Sequence, residues 1–391
     1  MPSIRARPSD SSIAGLGITE MGRIYGRSAS DLAAEAIRLA VTDAGLRMSD
    51  VDGLLTSSGV TRGIGMDLAK YANLRGLRLQ SDINAFGATA GAMVQYAAMA
   101  ISTGMAQVVA CVFADVPLRG GTAAADAYSS TPARGITGKL RAAAGVSSVA
   151  ARYALATRRH MIRFGTSSEQ LGAVAVAARK WAALNPRAQF RDPITIDDHQ
   201  SSRWIAEPLH LLDCCLVSNG AIAVIVTSTE RARDLAQPLV RLLGWAQAHP
   251  GEQNEQGSEF GIRSGAAESG PAALKMAGVV LSEVDVAEIY DCFTFTTLLT
   301  LEDYGFCAKG EGGAFVASGA LEPGSAIPIN TGGGQLSSYY MWGMTPLSEA
   351  IMQTRGQTGE RQSARHDIVL VSGNGGVLDH HSTLVLGSAA T

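Results

Sequence analysis

The chain lacks the cysteine pattern of a disulfide framework or of a zinc site. Its five cysteines are odd in number, two of them are adjacent, and no CxxC pair occurs. It also lacks an apolar run that approaches the roughly 18 residues of a membrane span. Its first residues, MPSIRARP, lack the apolar core of a signal peptide. We therefore expect a cytoplasmic protein without a membrane segment.

An overall excess of basic charge is also missing, since the net charge is -3 and the pI is near 6.2. Nothing in this balance suggests a nucleic-acid partner. The charge is uneven, however, because residues 117–212 carry 13 Lys and Arg against 6 Asp and Glu. A basic segment in an acidic chain favours docking of a phosphate-bearing ligand, although solvated helix faces would have the same composition. The basic residues of this segment are most closely spaced at Arg158, Arg159, Arg163, Arg179 and Lys180.

Several common catalytic motifs are absent. No GxSxG elbow, no GxxxxGK[ST] loop and no GxGxxG fingerprint after the first predicted strand occurs. Asp379, His380 and His381 form the only tight group of potential metal ligands. Consecutive residues on a strand point to opposite faces, so we expect no metal at this group.

What is present is an alternation of predicted strands and helices, which is typical of an α/β protein. Ile13–Gly17 is predicted to be a buried strand, and Ser28 with Asp31 resembles a capping box that opens a helix. Ala221–Val226 is apolar throughout, which favours a buried central strand.

A repeat divides the chain into two halves. The segment AGLRMSDVD at residues 44–52 is echoed by AGVVLSEVD at residues 277–285. Self-similarity at long period indicates one structural unit used twice. We therefore predict an N-terminal half at 1–235, with a basic insert at about 116–212, and a C-terminal half at 236–391.

Four loops are predicted where strands meet helices or just past a buried strand, and ligands of α/β sheets bind at the carboxyl ends of strands. In the third loop, three glycines are followed by two tyrosines and a tryptophan, which predicts either a ligand site or a tight turn with core aromatics. The loops are Phe86–Gly91, Glu288–Phe293, Asn330–Gly343 and Ser372–Gly376.

With Ile13–Gly17, the repeated segment, Asn185-Pro186 and Asp213–Ala223, the last three of these loops make the chain resemble the thiolase superfamily, in its sterol-carrier-protein-X and lipid-transfer type. The resemblance covers nearly the whole chain. It implies a five-layered αβαβα core made of two duplicated halves, with an inserted loop domain that handles coenzyme A. The basic residues of the insert are then candidates for binding that coenzyme.

The departures from the family pattern exclude an acyl-transferring thiolase. The positions of the two catalytic cysteines are occupied by Ala88 and Gly373, and those of the two histidines by Tyr290 and Tyr340. Covalent acyl transfer needs a nucleophile with a nearby base. Cys292 is adjacent to Tyr290 in sequence, but we expect it to be a buried apolar side chain, as free cysteines commonly are.

The pair of tyrosines resembles the branch of this family that cleaves steroid side-chain CoA thioesters by a retro-aldol reaction. In this interpretation Tyr290 and Tyr340 are the acid and base, with Tyr340 as the base and Tyr339 as its substitute if the register slips. Tyrosine can serve both roles because it donates and accepts a proton. Candidate oxyanion or supporting groups are Asn374, Gly375, His380 and His381, with the backbone of Gly332–Gly334.

The resemblance also implies partners. We expect a homodimer, an acyl-CoA substrate, and a separate OB-fold and zinc-ribbon protein that completes a heterotetramer. Zinc is expected only in that partner, and no cofactor is expected on this chain. Two alternatives remain: a non-catalytic acyl-CoA or lipid carrier or scaffold subunit on a degenerate thiolase fold, or another carbon–carbon bond enzyme of this fold.

Overall fold

The computed structural model describes residues 10–124, 127, 135–146, 148–250 and 257–391. Its strands, numbered β1 to β11 in chain order, are Ser11–Ile18, Gly53–Ser58, Leu79–Asp82, Val108–Asp115, Trp204–Ala206, Leu209–His210, Gly220–Ser228, Val240–Ala248, Val286–Glu288, Ile368–Gly375 and His380–Gly387.

The α-helices, numbered α1 to α12, alternate with these strands in most of the chain. They are Ala29–Asp43, Leu68–Tyr71, Thr89–Ser102, Gly135–Ala143, Val149–Phe164, Ser168–Ala183, Ile196–Ser201, Thr229–Ala232, Ala266–Ala277, Thr294–Tyr304, Gly312–Ala317 and Met344–Thr354. The predicted capping box of α1 is confirmed, since Ser28 accepts from the Asp31 N–H and the Asp31 carboxylate accepts from the Ser28 N–H.

The duplication is visible in the sheet. Nine strands form one sheet in the order β3-β2-β4-β7-β1-β8-β11-β10-β9. The strand pairings repeat in the two halves when they are followed outward from the β1–β8 junction. In the first half β1–β7 and β7–β4 are antiparallel and β4–β2 is parallel. In the second half β8–β11 and β11–β10 are antiparallel and β10–β9 is parallel. An isolated parallel bridge between Ala287 and Ile329 stands where β3 stands in the first half. The prediction of two duplicated α/β halves is therefore confirmed.

The repeated segment has the same structural task in both halves. Each copy leaves its helix through a glycine in the left-handed region, Gly45 in the first half and Gly278 in the second. Each then presents an aspartate to the start of the neighbouring strand. Asp52 accepts from the N–H groups of Gln107 and Val108, at 2.8 Å each. Asp285 accepts in the same way from Asp367 at 2.9 Å and Ile368 at 3.0 Å.

The core is layered as the α/β pattern predicts. Helix α1 packs on strands of the first half, and α9 packs on strands of the second. Helices α3 and α12 each contact strands of both halves, so they form the middle layer. Met93 and Leu347 are buried in the cluster that this layer shares with the two halves of the sheet. The five-layered αβαβα prediction is confirmed.

The basic insert contains α4 to α7 and packs on the second half. His160 of α5 is buried and hydrogen-bonded through Nε2 to Glu302 of α10, at 3.1 Å. Helix α6 lies against α10 and α11. The predicted boundary between the two halves, at 235/236, falls between α8 and β8. The exact position of this boundary stays a prediction.

We predict that Asp52→Ala and Asp285→Ala each lower the free energy of unfolding by about 1–3 kcal/mol, because each leaves backbone N–H groups without a partner. The loss should be larger for Asp285, which is buried, than for the half-buried Asp52. Urea denaturation measures both. Asp67→Ala is the matched control, since Asp67 is exposed and caps nothing with its side chain. Values equal to this control would contradict the prediction.

Candidate active site

The four predicted segments meet around Gly87, at the start of α3, although Ser372–Gly375 belongs to strand β10 and is not the loop that was predicted. A Cβ atom on Gly87 would lie 2.2 Å from Cζ of Tyr290 and 2.1 Å from the carbonyl oxygen of Asn374. The Gly87 carbonyl in turn would lie 2.4 Å from a Cβ on Gly343 and 2.8 Å from one on Gly373. Backbone approaches this close require residues without a side chain. The glycines of these loops therefore bring the four strand ends together.

Tyr290 and Tyr340 lie side by side at this meeting point. Their hydroxyl oxygens are 3.1 Å apart, within hydrogen-bond distance. Tyr290 is buried and Tyr340 is half-buried, so the pair runs from the interior outward. The Tyr340 N–H donates to the hydroxyl of Ser218, at 3.0 Å. The role that we predicted for this pair requires such an approach of the two phenols.

A carboxylate beside Tyr290 holds the turn that leads to Tyr340. The segment Gly334–Ser338 is a π-helical turn, a rare conformation that is common at functional sites. The Asp291 carboxylate accepts from the N–H groups of Gln335 at 2.8 Å and Leu336 at 3.3 Å. Burial raises the pKa of Asp291 to about 7, against the lowering effect of these N–H groups.

Burial also raises the pKa of Tyr290 well above its ordinary value, and the neighbouring thiol of Cys292 adds to this. The hydrogen bond with Tyr340 acts in the opposite direction. The other groups that shift the pKa of Tyr290 are Cys215 and Tyr153. None of these neighbours, which are Cys292, Tyr340, Cys215 and Tyr153, is a cation. Tyr290 therefore keeps its proton at neutral pH.

The sequence analysis missed a third phenol, that of Tyr153 on α5. Its hydroxyl accepts from the amide nitrogen of Asn374 at 3.0 Å, and its ring packs on Phe293 with centroids 4.6 Å apart. Burial raises the pKa of Tyr153 well above its ordinary value, and Cys292 contributes. We interpreted this helix by its basic residues alone. The spacing of Tyr153, Thr157 and His160 along one buried face was the available signal.

The predicted oxyanion and supporting residues have different positions. The Asn374 side chain is buried beside Tyr153, and its Oδ1 has no partner among the described residues. Gly375 packs against Ala85, whose carbonyl oxygen would lie 2.0 Å from a Cβ there. Gly332–Gly334 pack against Glu349, Ala182 and Asp291, where any added Cβ would collide.

The two histidines point to different surroundings, as neighbours on a strand should. His380 is half-buried, stacked on Phe86 at 6.1 Å and hydrogen-bonded to His249 at 3.1 Å. His381 is buried and bonded through Nε2 to the hydroxyl of Tyr304 at 3.0 Å. Burial lowers the pKa of His381 to about 3, so this ring is neutral.

The predicted coenzyme-binding residues divide into two groups. On α5, Arg158 pairs with the exposed Glu207, Arg159 donates to the carbonyl of Gly257, and Arg163 is exposed. On α6 the side chains are held by other contacts, since Arg179 is buried over Phe190 and donates to Ser337, and Lys180 pairs with Glu322. The basic surface is therefore the outer face of α5.

No thiol in the described residues has the character of a nucleophile. Cys111 and Cys292 are buried, and Cys214, Cys215 and Cys307 are partly buried. Burial raises the thiol pKa of Cys292 to about 12 and that of Cys307 to about 11.

In the described part of the chain, no cluster of three or more His, Cys, Asp or Glu is arranged to hold a metal ion. Nor does any helix there have the length and apolarity needed to cross a membrane.

The chain is similar to several known proteins. The family model "Thiolase C-terminal domain-like" matches residues 246–388. The 17-hydroxy-3-oxo-4-pregnene-20-carboxyl-CoA lyase of Mycobacterium tuberculosis is 41% identical over 93% of this chain and 96% of its own length. The steroid side-chain-cleaving aldolase of Thermomonospora curvata is 40% identical over 94% of this chain and 96% of its own.

A solved structure described as an "Ltp2-ChsH2(DUF35) aldolase" superimposes with a TM-score of 0.89 and 39% identity, and it covers 97% of this chain and 98% of that one. The fold and the site thus define a thiolase-type protein without the acyl-transfer groups. The chain belongs to the thiolase superfamily, in the sterol-carrier-protein type and the branch of the steroid side-chain-cleaving aldolases.

We predict that His381 makes the protein less stable as the pH falls from 6.5 toward 3. The unfolded chain binds a proton at this residue below its ordinary pKa of 6.5, whereas the folded chain does so only near 3. The free energy of unfolding therefore falls by up to about 1.4 kcal/mol for each pH unit in this range. His381→Phe should lack this contribution, which urea denaturation at several pH values would measure. Parallel curves for the two proteins would contradict the prediction.

Proposed function

We propose that this chain is a carbon–carbon lyase that cleaves a β-hydroxyacyl-CoA thioester by a retro-aldol reaction. The proposed substrate is a steroid with a 17-hydroxy-20-carboxyl-CoA side chain, and the products are a 17-ketosteroid and propionyl-CoA. The observation that carries the proposal is the contact of 3.1 Å between the Tyr290 and Tyr340 hydroxyls. The two relatives named above, which share about two residues in five with this chain, support the substrate.

The reaction needs a base at the β-hydroxyl and a proton donor at Cα. As the base removes the hydroxyl proton, the Cα–Cβ bond breaks and the hydroxyl carbon becomes the ketone. The electron pair passes to the thioester as an enolate, which then takes a proton at Cα. No acyl-enzyme forms, so the replacement of cysteine by Ala88 and Gly373 is compatible with this chemistry.

The two phenols divide these tasks by their surroundings. Tyr290 is the more buried, and its raised pKa means that it holds the proton that an acid must supply, so we assign it the acid. Tyr340 is half-buried, so it is the phenol open to the substrate hydroxyl, and we assign it the base. Either hydroxyl of the pair can donate, so once Tyr340 has lost its proton Tyr290 donates to it and stabilises the negative charge on the Tyr340 oxygen.

The enolate oxygen needs donors placed where charge develops. Asn374 is the best-placed side chain, because it belongs to the strand end that packs on Gly87 and it is held by Tyr153. Tyr153 is thus a positioning residue in this proposal. His381 and His380 lie opposite Asn374 and Gly375 on the paired strand β11, and the contact of His381 with Tyr304 favours a structural role.

The coenzyme and the partners complete the proposal. We place the phosphates of coenzyme A on the exposed face of α5, at Arg158, Arg159 and Arg163. A solved relative is described together with a DUF35 protein, which supports a partner of that kind for this chain. A homodimer that binds an OB-fold and zinc-ribbon partner, with zinc only in that partner and a cytoplasmic location, remains our proposal.

We predict that Tyr290→Phe and Tyr340→Phe each lower kcat on the order of 10²-fold or more, because each removes a positioned acid or base and keeps the ring. Release of the ketosteroid and propionyl-CoA from the steroid thioester is the measurement, with and without a DUF35 partner. Tyr96→Phe is the control, since Tyr96 is a half-buried phenol on α3 outside the site. A carrier or scaffold would tolerate all three changes and release no ketone.

The raised pKa of Tyr290 leads to a second prediction. An acid whose pKa lies well above 10 stays protonated as the pH rises, so kcat should not fall between pH 7 and pH 10. The pH dependence of kcat measures this. A loss of kcat with an apparent pKa below 10 would exclude Tyr290 as the acid.

A further inference from the structure

The four segments that meet around the tyrosine pair expose one large aromatic side chain, that of Phe86. These segments lie wholly within the part of the chain that the structure describes, and Phe86 is the only large apolar residue in them that is exposed, at 47%. The other aromatic rings of the same segments are covered, as Trp342 and Phe293 show at 6% each. The site therefore presents one apolar ring to solvent, and apolar rings of this kind line the sites of apolar ligands.

The backbone of Phe86 is in an unusual conformation. Its φ is 51°, in the left-handed region, and Trp342 has a φ of 48° in the same region. Bulky residues rarely occupy this region, because the Cβ atom crowds the backbone there. Such conformations persist only where the surrounding structure holds them, and they concentrate at ligand sites. Two of them in contact at one site indicate a function for these rings.

Hydrogen bonds hold both residues in this conformation. The Phe86 N–H donates to Oδ1 of Asn84 at 2.9 Å, and the Phe86 carbonyl accepts from the N–H of Thr89. The Trp342 carbonyl accepts from Nε2 of Gln335 at 2.7 Å. The two rings are therefore carried on a fixed backbone, and a ligand that contacts them does not have to order it.

The rings form one aromatic surface. The centroids of Phe86 and Trp342 are 5.9 Å apart, and Trp342 packs in turn on Phe113 of β4 at 5.1 Å. The half-buried ring of His380 is nearly parallel to Phe86, with 9° between the planes and 6.1 Å between the centroids. Trp342 is the buried support of this surface, and Phe86 is its exposed member.

The aromatic surface adjoins the tyrosine pair through the backbone. Gly87 follows Phe86, and a Cβ atom on Gly87 would lie 2.2 Å from Cζ of Tyr290. Trp342 comes two residues after Tyr340. An apolar body attached to a group that reacts at the two phenols therefore has Phe86 beside it.

We infer that Phe86, supported by Trp342, binds the apolar ring system of the substrate and determines the specificity for a steroid. A flat, fused hydrocarbon matches a fixed aromatic face, and it removes the exposed area of Phe86 from water. A short acyl chain covers less of this area and gains less from it. The inference rests on the proposed function for the class of substrate, and it adds the residue that recognises the part of the substrate that does not react.

Binding of androstenedione, a free 17-ketosteroid, to the full chain tests the inference without the reaction. Equilibrium dialysis should show saturable binding that Phe86→Ala weakens about tenfold or more, because the variant loses the apolar area that the steroid covers. Phe86→Leu keeps an apolar side chain and should weaken binding about threefold. Met99→Ala is the matched control, since Met99 is exposed to 48% near the end of α3. Equal affinities of wild type and both Phe86 variants, an equal loss in the control, or no saturable binding by the wild type would overturn the inference.

Two further measurements exclude other roles for Phe86. With the steroid thioester, Phe86→Ala should raise KM and leave kcat nearly unchanged, because it removes binding and no proton donor. A changed oligomeric state of Phe86→Ala at unchanged steroid affinity, measured by light scattering, would assign Phe86 to a protein interface and overturn the inference. Phe86→Leu decides the matter if circular dichroism shows that Phe86→Ala does not fold.

The failure of this inference differs from the failure of the proposed function. If the wild type binds androstenedione through Phe86 but releases no ketone from the thioester, the lyase is excluded and the steroid-binding role of Phe86 is confirmed. If wild type and Phe86→Ala cleave the thioester with equal kcat/KM, the lyase is confirmed and the role of Phe86 is excluded.

Discussion

The hydrogen bonds that the N–H groups of Gln335 and Leu336 donate to the Asp291 carboxylate are the constraint on which the site depends. They tie the loop that carries Tyr290 to the π-helical turn that precedes Tyr340. A carboxylate can replace the missing helical partners of such a turn because it accepts several N–H groups at once. The Asp291 side chain therefore helps to bring the two phenols together, in addition to their own hydrogen bond.

The site is built on a thiolase core without its acyl-transfer chemistry. Gly87, Gly343 and Gly373 permit the close approach of the segments around the site. Within that frame, burial raises the pKa of Tyr290 and of Tyr153 and leaves the surrounding thiols protonated. Such surroundings do not favour covalent catalysis by sulfur.

Much of this could be predicted from local patterns. The echo of residues 44–52 at residues 277–285 indicated the duplication, and the structure shows why the pattern recurs: each copy supplies an aspartate that caps the next strand. The pairing of Tyr290 with Tyr340 followed from their motifs, and the structure places them in contact. Composition misled in one place, since Arg179 counted toward a basic surface but is buried over Phe190.

The sequence by itself determined the α/β class, the repeat and the loss of cysteine and histidine from the family's catalytic positions, because residue identity and short-range periodicity carry this information. Tertiary structure alone decided that Tyr153 reaches Asn374 across 221 residues, and that Arg355 reaches Asp43 across 312. Such contacts depend on how distant elements pack, and a residue's burial and partners, which set its pKa and its hydrogen bonds, exist only once the chain has folded.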